Sequence, residues 1–357
     1  MQINNLICKN SIQMNKTPIT SLGEFGLIDH LTRNIKQYNN GTIKAIGDDT
    51  AAIDAGENLI LLTKDLLVEN VHFNIMYTPL KHLGYKSIAV NLSDIYAMNG
   101  TATQVIVGIA ISSRYTVEAL DEIYEGMKLA CEKYKVDLVG GDTTSSAAGL
   151  FISVTAMGKV AKNKITYRSG AKANDLICVS GNLGGAYAGL LVLEREKEVF
   201  KANPQSQPDL NQFAYILERQ LKPEPRKDIV ELLLKKEIMP TSMIDISDGL
   251  ASEILHICKS SAMGAVIYEE KIPVDVQTAT VAHEFKIDPT TFALNGGEDY
   301  ELLFTISQKD YDKIKDVEEI AVIGHITENP SQADLVSTSG NVINIRAQGW
   351  DSFREDS

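Results

Sequence analysis

The sequence predicts an α+β protein of two domains, and three observations lead there. A chain of 357 residues with 44% apolar composition is more than twice the roughly 150 residues usual for one domain. Runs rich in Val and Ile outnumber the helical patterns available to connect them, which favours mixed sheets flanked by helices over a doubly wound parallel sheet. After Lys159 the pattern restarts, placing a domain boundary near residue 165. The expected division is an N-terminal extension at 1–19, a first domain at 20–165 and a second at 166–357.

The first domain reads as strands at 43–46, 59–63, 104–111, 136–139 and 150–159, each a β-branched run bounded by turn residues. Two helices separate them. The first, over 80–98, shows Leu83, Ser87, Val90, Asp94 and Ala97 at helical spacing and stops at Gly100; the second starts at Thr116 and shows Leu120, Ile123, Met127 and Tyr134. In the second domain, Tyr167-Arg168-Ser169-Gly170 leads into a strand at 175–179, followed by a helix from Gly184. A helix start at Pro223-Glu224-Pro225, a strand ending at Asp245, a helix at 249–259 and strands at 302–305 and 321–324 complete the reading.

Composition narrows the function. Lys plus Arg number 34 against 47 Asp plus Glu, a net charge of -13, so no broad basic face is available for nucleic acid or an anionic membrane. The uncharged stretch 176–193 is broken by Ser180, Gly181, Asn182, Gly184, Gly185 and Gly189 and reads as strand, turn and buried helix rather than a membrane span. The first twenty residues lack the apolar core of a signal peptide, so a cytoplasmic location is expected. Cys8, Cys131, Cys178 and Cys258 are far apart and fit reduced thiols. The six histidines show no H-E-x-x-H pattern, no P-loop is present, and the aspartate spacing does not fit an EF-hand.

The informative residues are aspartates at the ends of apolar runs beside glycine or a hydroxyl: Gly47-Asp48-Asp49, Thr63-Lys64-Asp65, Gly140-Gly141-Asp142, Asp245-Ile246-Ser247-Asp248-Gly249 and Gly296-Gly297-Glu298-Asp299. One such corner is ordinary turn chemistry. Five are harder to dismiss, because gathered carboxylates repel each other unless a cation neutralises them, and hard oxygen ligands suit Mg²⁺. Asp94, inside the first helix on its apolar stripe, is a further carboxylate that needs either a backbone partner or a metal.

These corners and their surroundings resemble the thiamine-monophosphate kinase family, within the aminoimidazole ribonucleotide synthetase-like ATP-binding superfamily. The match includes Gly23-Glu24-Phe25-Gly26, Ile46-Gly47-Asp48-Asp49, Val71-His72-Phe73, Asn91-Leu92-Ser93-Asp94, Gly140-Gly141-Asp142-Thr143, Arg168-Ser169-Gly170-Ala171, Asp245-Ile246-Ser247-Asp248-Gly249 and Gly296-Gly297-Glu298-Asp299-Tyr300. It runs along nearly the whole chain from about residue 20. The resemblance implies a homodimer whose N-terminal domains pair into a barrel, with ATP and several Mg²⁺ in a cleft, and direct in-line phosphorylation of thiamine phosphate to thiamine diphosphate. It implies Asp49, Thr63, Lys64, Asp65, Asp94, Asp142, Asp245 and Asp248 at the metals. Tyr124, Gly141, Asp142, Arg168 and Ser247 would contact nucleotide, and His72, Glu298 and Trp350 would contact thiamine phosphate. Asp49, Asp65, Asp142, Arg168 and Asp245 would carry catalysis.

Two positions depart from the family pattern. Lys64 stands where Thr is common, and Asn70 where Gly is common. Rival readings are another ATP-dependent activation on the same scaffold and a non-catalytic, metal-stabilised nucleotide-binding protein. Relatives of the first kind use a reactive cysteine in a glycine-rich N-terminal segment or at the C-terminus. This chain ends Phe353-Arg354-Glu355-Asp356-Ser357, and Cys8 has no glycine context.

Overall fold

The computed structural model describes residues 18–205 and 208–347. Residues 39–350 make one compact unit; the described segment 18–38 belongs to another and holds the helix α1 (Gly23–Thr32). In the larger unit the strands are β1 (Thr42–Lys44), β2 (Ala51–Ala55), β3 (Asn58–Val68), β4 (Thr101–Ile111), β5 (Asp137–Ser145), β6 (Phe151–Ala161), β7 (Leu176–Ser180), β8 (Ser242–Asp245), β9 (Gly264–Tyr268), β10 (Leu302–Ile306), β11 (Ile320–Thr327), β12 (Ala333–Val336) and β13 (Val342–Asn344). The helices are α2 (Leu80–Ala97), α3 (Val117–Tyr134), α4 (Gly185–Ala202), α5 (Ala214–Leu221), α6 (Lys227–Lys235), α7 (Leu250–Ser261), α8 (Val276–Glu284), α9 (Pro289–Asn295) and α10 (Tyr311–Ile314).

Two sheets organise the unit. The first has six strands in the order β1-β2-β3-β6-β4-β5, and the second has seven in the order β13-β12-β9-β11-β7-β10-β8. Neighbours are antiparallel except β4 with β5 and β9 with β12, so the α+β expectation holds. Strands β7, β10 and β8 of the second sheet are buried on both faces, whereas β13 at its other edge is exposed. On β10, Leu302 and Phe304 join a core shared with the first sheet, while Leu303 joins the core on the far side with Ile254 and Ile257 of α7.

Helix α2 differs from its expected single stripe. It is buried nearly all round, from Leu83 to Ala97 with only Asp94 less than buried, because it packs on the first sheet with one side and on β8, α5 and α6 with the other. A helix in that position must partner every polar side chain it carries. It also lies very close to α3: a Cβ on Gly84 would stand 1.8 Å from the Ile123 carbonyl oxygen, and one on Gly126 would stand 1.8 Å from that of Lys81. Thr116 caps α3 by accepting from the Ala119 N–H at 3.3 Å.

Strand lengths also differ. β3 runs on to Val68 and β5 to Ser145, so Asp65 and Asp142 sit inside strands rather than at their ends. Continued pairing explains this: Asp65 lies opposite Val154 in β6, and Asp142 opposite Gly108 in β4. The Ala-rich β2 carries little β-propensity of its own and is held by its ladder to β3.

Candidate active site

Carboxylate oxygens of Asp49, Asp94 and Asp245 lie within 4.8 Å of one another. They arrive from three places: the turn between β1 and β2, the C-terminal part of α2, and the end of β8. Neighbouring side chains fix each of them. Ser93 Oγ donates to Asp245 Oδ2 at 2.5 Å, and Thr63 Oγ1 donates to Asp94 Oδ2. Arg168 donates to Asp49 Oδ1 from Nε at 3.1 Å and from Nη2 at 2.6 Å, and its backbone N–H donates to Asp48 Oδ1 at 3.1 Å.

Asp65 shares the inward face of β3 with Thr63, two residues away. Its N–H donates to Asn91 Oδ1 at 2.9 Å, and Asn91 Nδ2 in turn donates to the Ser87 carbonyl at 3.0 Å. The amide orientation of Asn91 is thereby determined. Helix α2 therefore supplies Asp94 itself, the Asn91 contact to Asp65 and the Ser93 contact to Asp245.

Electrostatics sets the character of the group. Burial pushes Asp65 and Asp245 up to about 6. Asp49 rises to about 7, chiefly by burial, with Arg168 opposing and Asp245 and Asp48 adding. Asp94 is held well above the carboxylate range, first by burial and then by Asp65, Asp245 and Asp49. Clustered carboxylates in this state favour a cation over ionising alone. Asp49 Oδ2 is buried and has no hydrogen-bond partner among the described residues. That open acceptor, in a set made wholly of hard oxygens, fits Mg²⁺.

A second loop adjoins the aspartates. The segment from Ile246 is laced to 298–301: the Glu298 N–H donates to the Ser247 carbonyl at 2.7 Å, Tyr300 N–H to Ile246 O at 2.8 Å, and Ile246 N–H to Glu301 O at 2.7 Å. Gly297 makes the approach possible, since at its φ of +70° a Cβ would lie 2.7 Å from Ser247 O. Asp248 donates its N–H to Glu253 Oε1 at 3.0 Å. Glu298 thus stands next to the nucleotide candidate Ser247, its carboxylate meeting Lys86 and Gln220.

His72 lies in the turn after β3, where its Nδ1 accepts from the Val68 N–H at 3.0 Å, leaving Nε2 to carry the proton of the neutral ring. The same turn accounts for one departure from the family pattern. Asn70 has φ 64°, a left-handed conformation that Gly adopts freely and Asn tolerates best after it.

Other candidates are not brought to the aspartates. Gly141 and Asp142 lie on β5, an edge strand exposed along its whole length. Asp142 shares a cross-strand row with Gly108, Ser153 and Leu66, one row from Asp65 and so on the opposite face. Tyr124 packs against the core from α3. The Lys64 side chain is exposed on the face of β3 away from Thr63 and Asp65. Trp350 and most of the expected 1–19 extension lie outside the described residues. Conversely, Asn91, Ser93 and Lys86 join the site without having been given a role from the sequence, and Asp48, noted there only as part of its corner, accepts from the Arg168 N–H. The signal available was Ser87, Asn91 and Asp94 at helical spacing, polar side chains on a face that otherwise reads as core.

Residues 47–160 match the family of AIR synthase related proteins, N-terminal domain, which marks the part of the chain that carries Asp49 and Asp94 of the oxygen cluster as a domain of that class. The chain is 32% identical to the thiamine-monophosphate kinase of Bacillus subtilis, over 93% of this chain and 100% of that protein. Its identity to the thiamine-monophosphate kinase of Buchnera aphidicola subsp. Schizaphis graminum is 36%, over 92% and 98%. It superposes on the solved structure of AaThiL complexed with AMPPCP and TMP with a TM-score of 0.81 at 31% identity, covering 95% of this chain and 99% of that one. The chain belongs to the thiamine-monophosphate kinase family.

Proposed function

We propose that the chain transfers the γ-phosphoryl group of ATP to the phosphate of thiamine phosphate, giving ADP and thiamine diphosphate. The observation that carries this reading is the buried Asp49, Asp94 and Asp245 group beside Arg168, in a chain of this family. The acceptor oxygen is already anionic near neutral pH, so the site needs no strong base. Its task is to hold two anions together and in line. Asp49, Asp65, Asp94 and Asp245, with Thr63 and Asp248, would hold Mg²⁺, whose charge offsets that of the phosphates.

Arg168, anchored at Asp49 and Asp48, brings a guanidinium to the nucleotide phosphates, with Ser247 on the adjoining loop. Glu298 and His72 receive thiamine phosphate, the carboxylate facing its cationic or amino-bearing ring. Helix α2 spans both ends of the substrate: Lys86, which touches Glu298, precedes Asp94 by eight residues, roughly 12 Å along the axis.

The active form is a homodimer. Leu62, Leu66 and Ile106, at 39%, 49% and 49% exposure, share the face of the first sheet that α2 leaves open, and Ile43 and Val139 on flanking strands are exposed too. An apolar sheet face of this kind is suited to a second copy. Asp142 lies on that face, and its metal role belongs to the paired state. The enzyme works in the cytoplasm, a reading supported by the free buried thiols of Cys131, Cys178 and Cys258. No helix among the described residues is long and apolar enough to cross a membrane.

The test is ADP release with ATP and Mg²⁺, with and without thiamine phosphate, and mass spectrometry of the product. ADP release that depends on thiamine phosphate and yields thiamine diphosphate supports the reading. ATP turnover indifferent to thiamine phosphate, or binding without turnover, would replace it with one of the rivals.

A further inference from the structure

We infer that Lys86 is a positioning residue for thiamine phosphate, acting through Glu298; this rests on the kinase reading above and names what holds the substrate carboxylate in place. Lys86 comes from α2 with its side chain 3% exposed, and its Nζ lies 2.9 Å from Glu298 Oε1. It also donates to the Gln220 carbonyl at 3.2 Å, while Gln220 Nε2 donates to Glu298 Oε2 at 2.8 Å. Each carboxylate oxygen of Glu298 is therefore fixed by one donor, from two different helices. Each oxygen keeps lone-pair capacity for a ligand. The Glu298 side chain is 27% exposed, so part of it remains open.

The neighbouring acids show why this pair is not simply structural. Asp299 accepts from the N–H groups of Gly184 and Ala186 and lies beside Arg219, its side chain fully buried. Glu301, at 2% exposure, is held by Arg219, Arg226 and Ser180. Those contacts already anchor the loop. Glu298 alone of the three reaches the surface, and it draws a buried lysine that gains its place only by pairing.

Costs also concentrate at this carboxylate. Glu298 and Tyr300 take φ of 58° and 52°, left-handed values unfavourable for residues with side chains. Gln220 Oε1 is buried and has no hydrogen-bond partner among the described residues, the consequence of turning its Nε2 toward Glu298. Strain and an unsatisfied polar atom collected around one open carboxylate are what a binding group shows. Lys86 fixes the Glu298 rotamer and offsets part of its charge, so the carboxylate meets the ring of the substrate in one orientation.

The experiment compares wild type, Lys86→Met, Lys86→Arg, Glu298→Gln and the double variant Lys86→Met/Glu298→Gln, measuring kcat and KM for both substrates and the melting temperature. The expected result is a KM for thiamine phosphate raised roughly tenfold or more in Lys86→Met, with the KM for ATP within about twofold. Lys86→Arg, which keeps the charge but moves its donors, gives a smaller rise. The double variant matches Glu298→Gln alone, since both act along one path. Additive effects would overturn the inference by giving Lys86 its own contact to substrate. Equal losses for both substrates with a lowered melting temperature would make it structural. If Lys86→Met does not fold, the double variant, which removes both charges, and Lys86→Arg still decide the matter. Wild type that ignores thiamine phosphate sinks the kinase reading itself, whereas normal turnover with an unchanged Lys86→Met profile sinks only the role of Lys86.

Discussion

Both guanidinium contacts from Arg168 to Asp49 fall on one oxygen, Oδ1, at 3.1 and 2.6 Å, while Asp49 Oδ2 is buried without a hydrogen-bond partner among the described residues. Asp65 differs: burial raises it, with no cation among the described residues opposing. Two aspartates of one proposed metal site thus have opposite relations to the fold. Asp49 is half of an ion pair, and Asp65 is a desolvated carboxylate waiting for a cation.

That difference separates two substitutions that are equal in size and chemistry. Asp65→Asn is expected to stabilise the chelator-treated protein, on the order of 1 kcal/mol, because it removes an uncompensated buried charge. Asp49→Asn is expected to destabilise it, because Arg168 is left without its main partner. Both should lose at least about 100-fold in turnover, since each removes a ligand of the ions that offset phosphate charge. Thermal melts in chelator decide the first half and steady-state assays the second. Two melts shifted the same way would show that Arg168 does not set Asp49 apart.

The pH dependence of stability follows from the same carboxylates. Asp49 stands at about 7 in the folded chain, and Asp65 and Asp245 at about 6, against 3.8 for the ordinary group. Between these values the folded state binds more protons than the unfolded one, so stability from these groups is lost as pH rises through that window. The chelated protein should therefore melt at a lower temperature at pH 7.5 than at pH 5 on this account, and saturating Mg²⁺ should recover most of the difference at the higher pH. A chelated protein that melts higher at the alkaline end, with no response to Mg²⁺, would remove the case for a cation there.

What the sequence made legible was the set of corners. Asp49, Asp245 and Ser247 are flagged by glycine beside an apolar run, because a backbone that must turn sharply leaves that mark whatever the fold. What it left hidden depends on contacts between distant segments. Ser93 reaches Asp245 across 152 residues, and Lys86 reaches Gln220 across 134; no local pattern records such partners. The all-round burial of α2 was hidden for the same reason, since periodicity shows the stripe facing its own sheet but not the second surface laid on it by β8, α5 and α6. Asp142 was legible as a corner and proves to lie within an exposed edge strand, on the face away from Asp65.

The dimer can be tested at that exposed face. Leu66→Asp places a charge on the open side of β3 without touching Thr63 or Asp65, which point the other way. Desolvating a carboxylate in an apolar interface is costly, so the variant should run as a monomer by light scattering at concentrations where wild type is paired. Its turnover should fall with its pairing. A variant that stays dimeric and active would place the interface elsewhere.

Lys64 gives the last prediction. Its ammonium offers no lone pair and repels a dication, so a side chain aimed at the aspartates would replace part of a metal's charge, and Lys64→Thr would then steepen the dependence of activity on Mg²⁺. The strand decides otherwise. Thr63 and Asp65 are part-buried on the α2 side, and Lys64 between them is exposed on the other, as alternation along β3 demands. From there only its backbone can approach the site, and a backbone carbonyl is the same in Lys and Thr. The Mg²⁺ titrations of wild type and Lys64→Thr should therefore superimpose, with maximal rates within about twofold. A steeper curve for the variant would show that the ammonium reaches the aspartates after all, which in this fold requires it to do so from a paired copy of the chain.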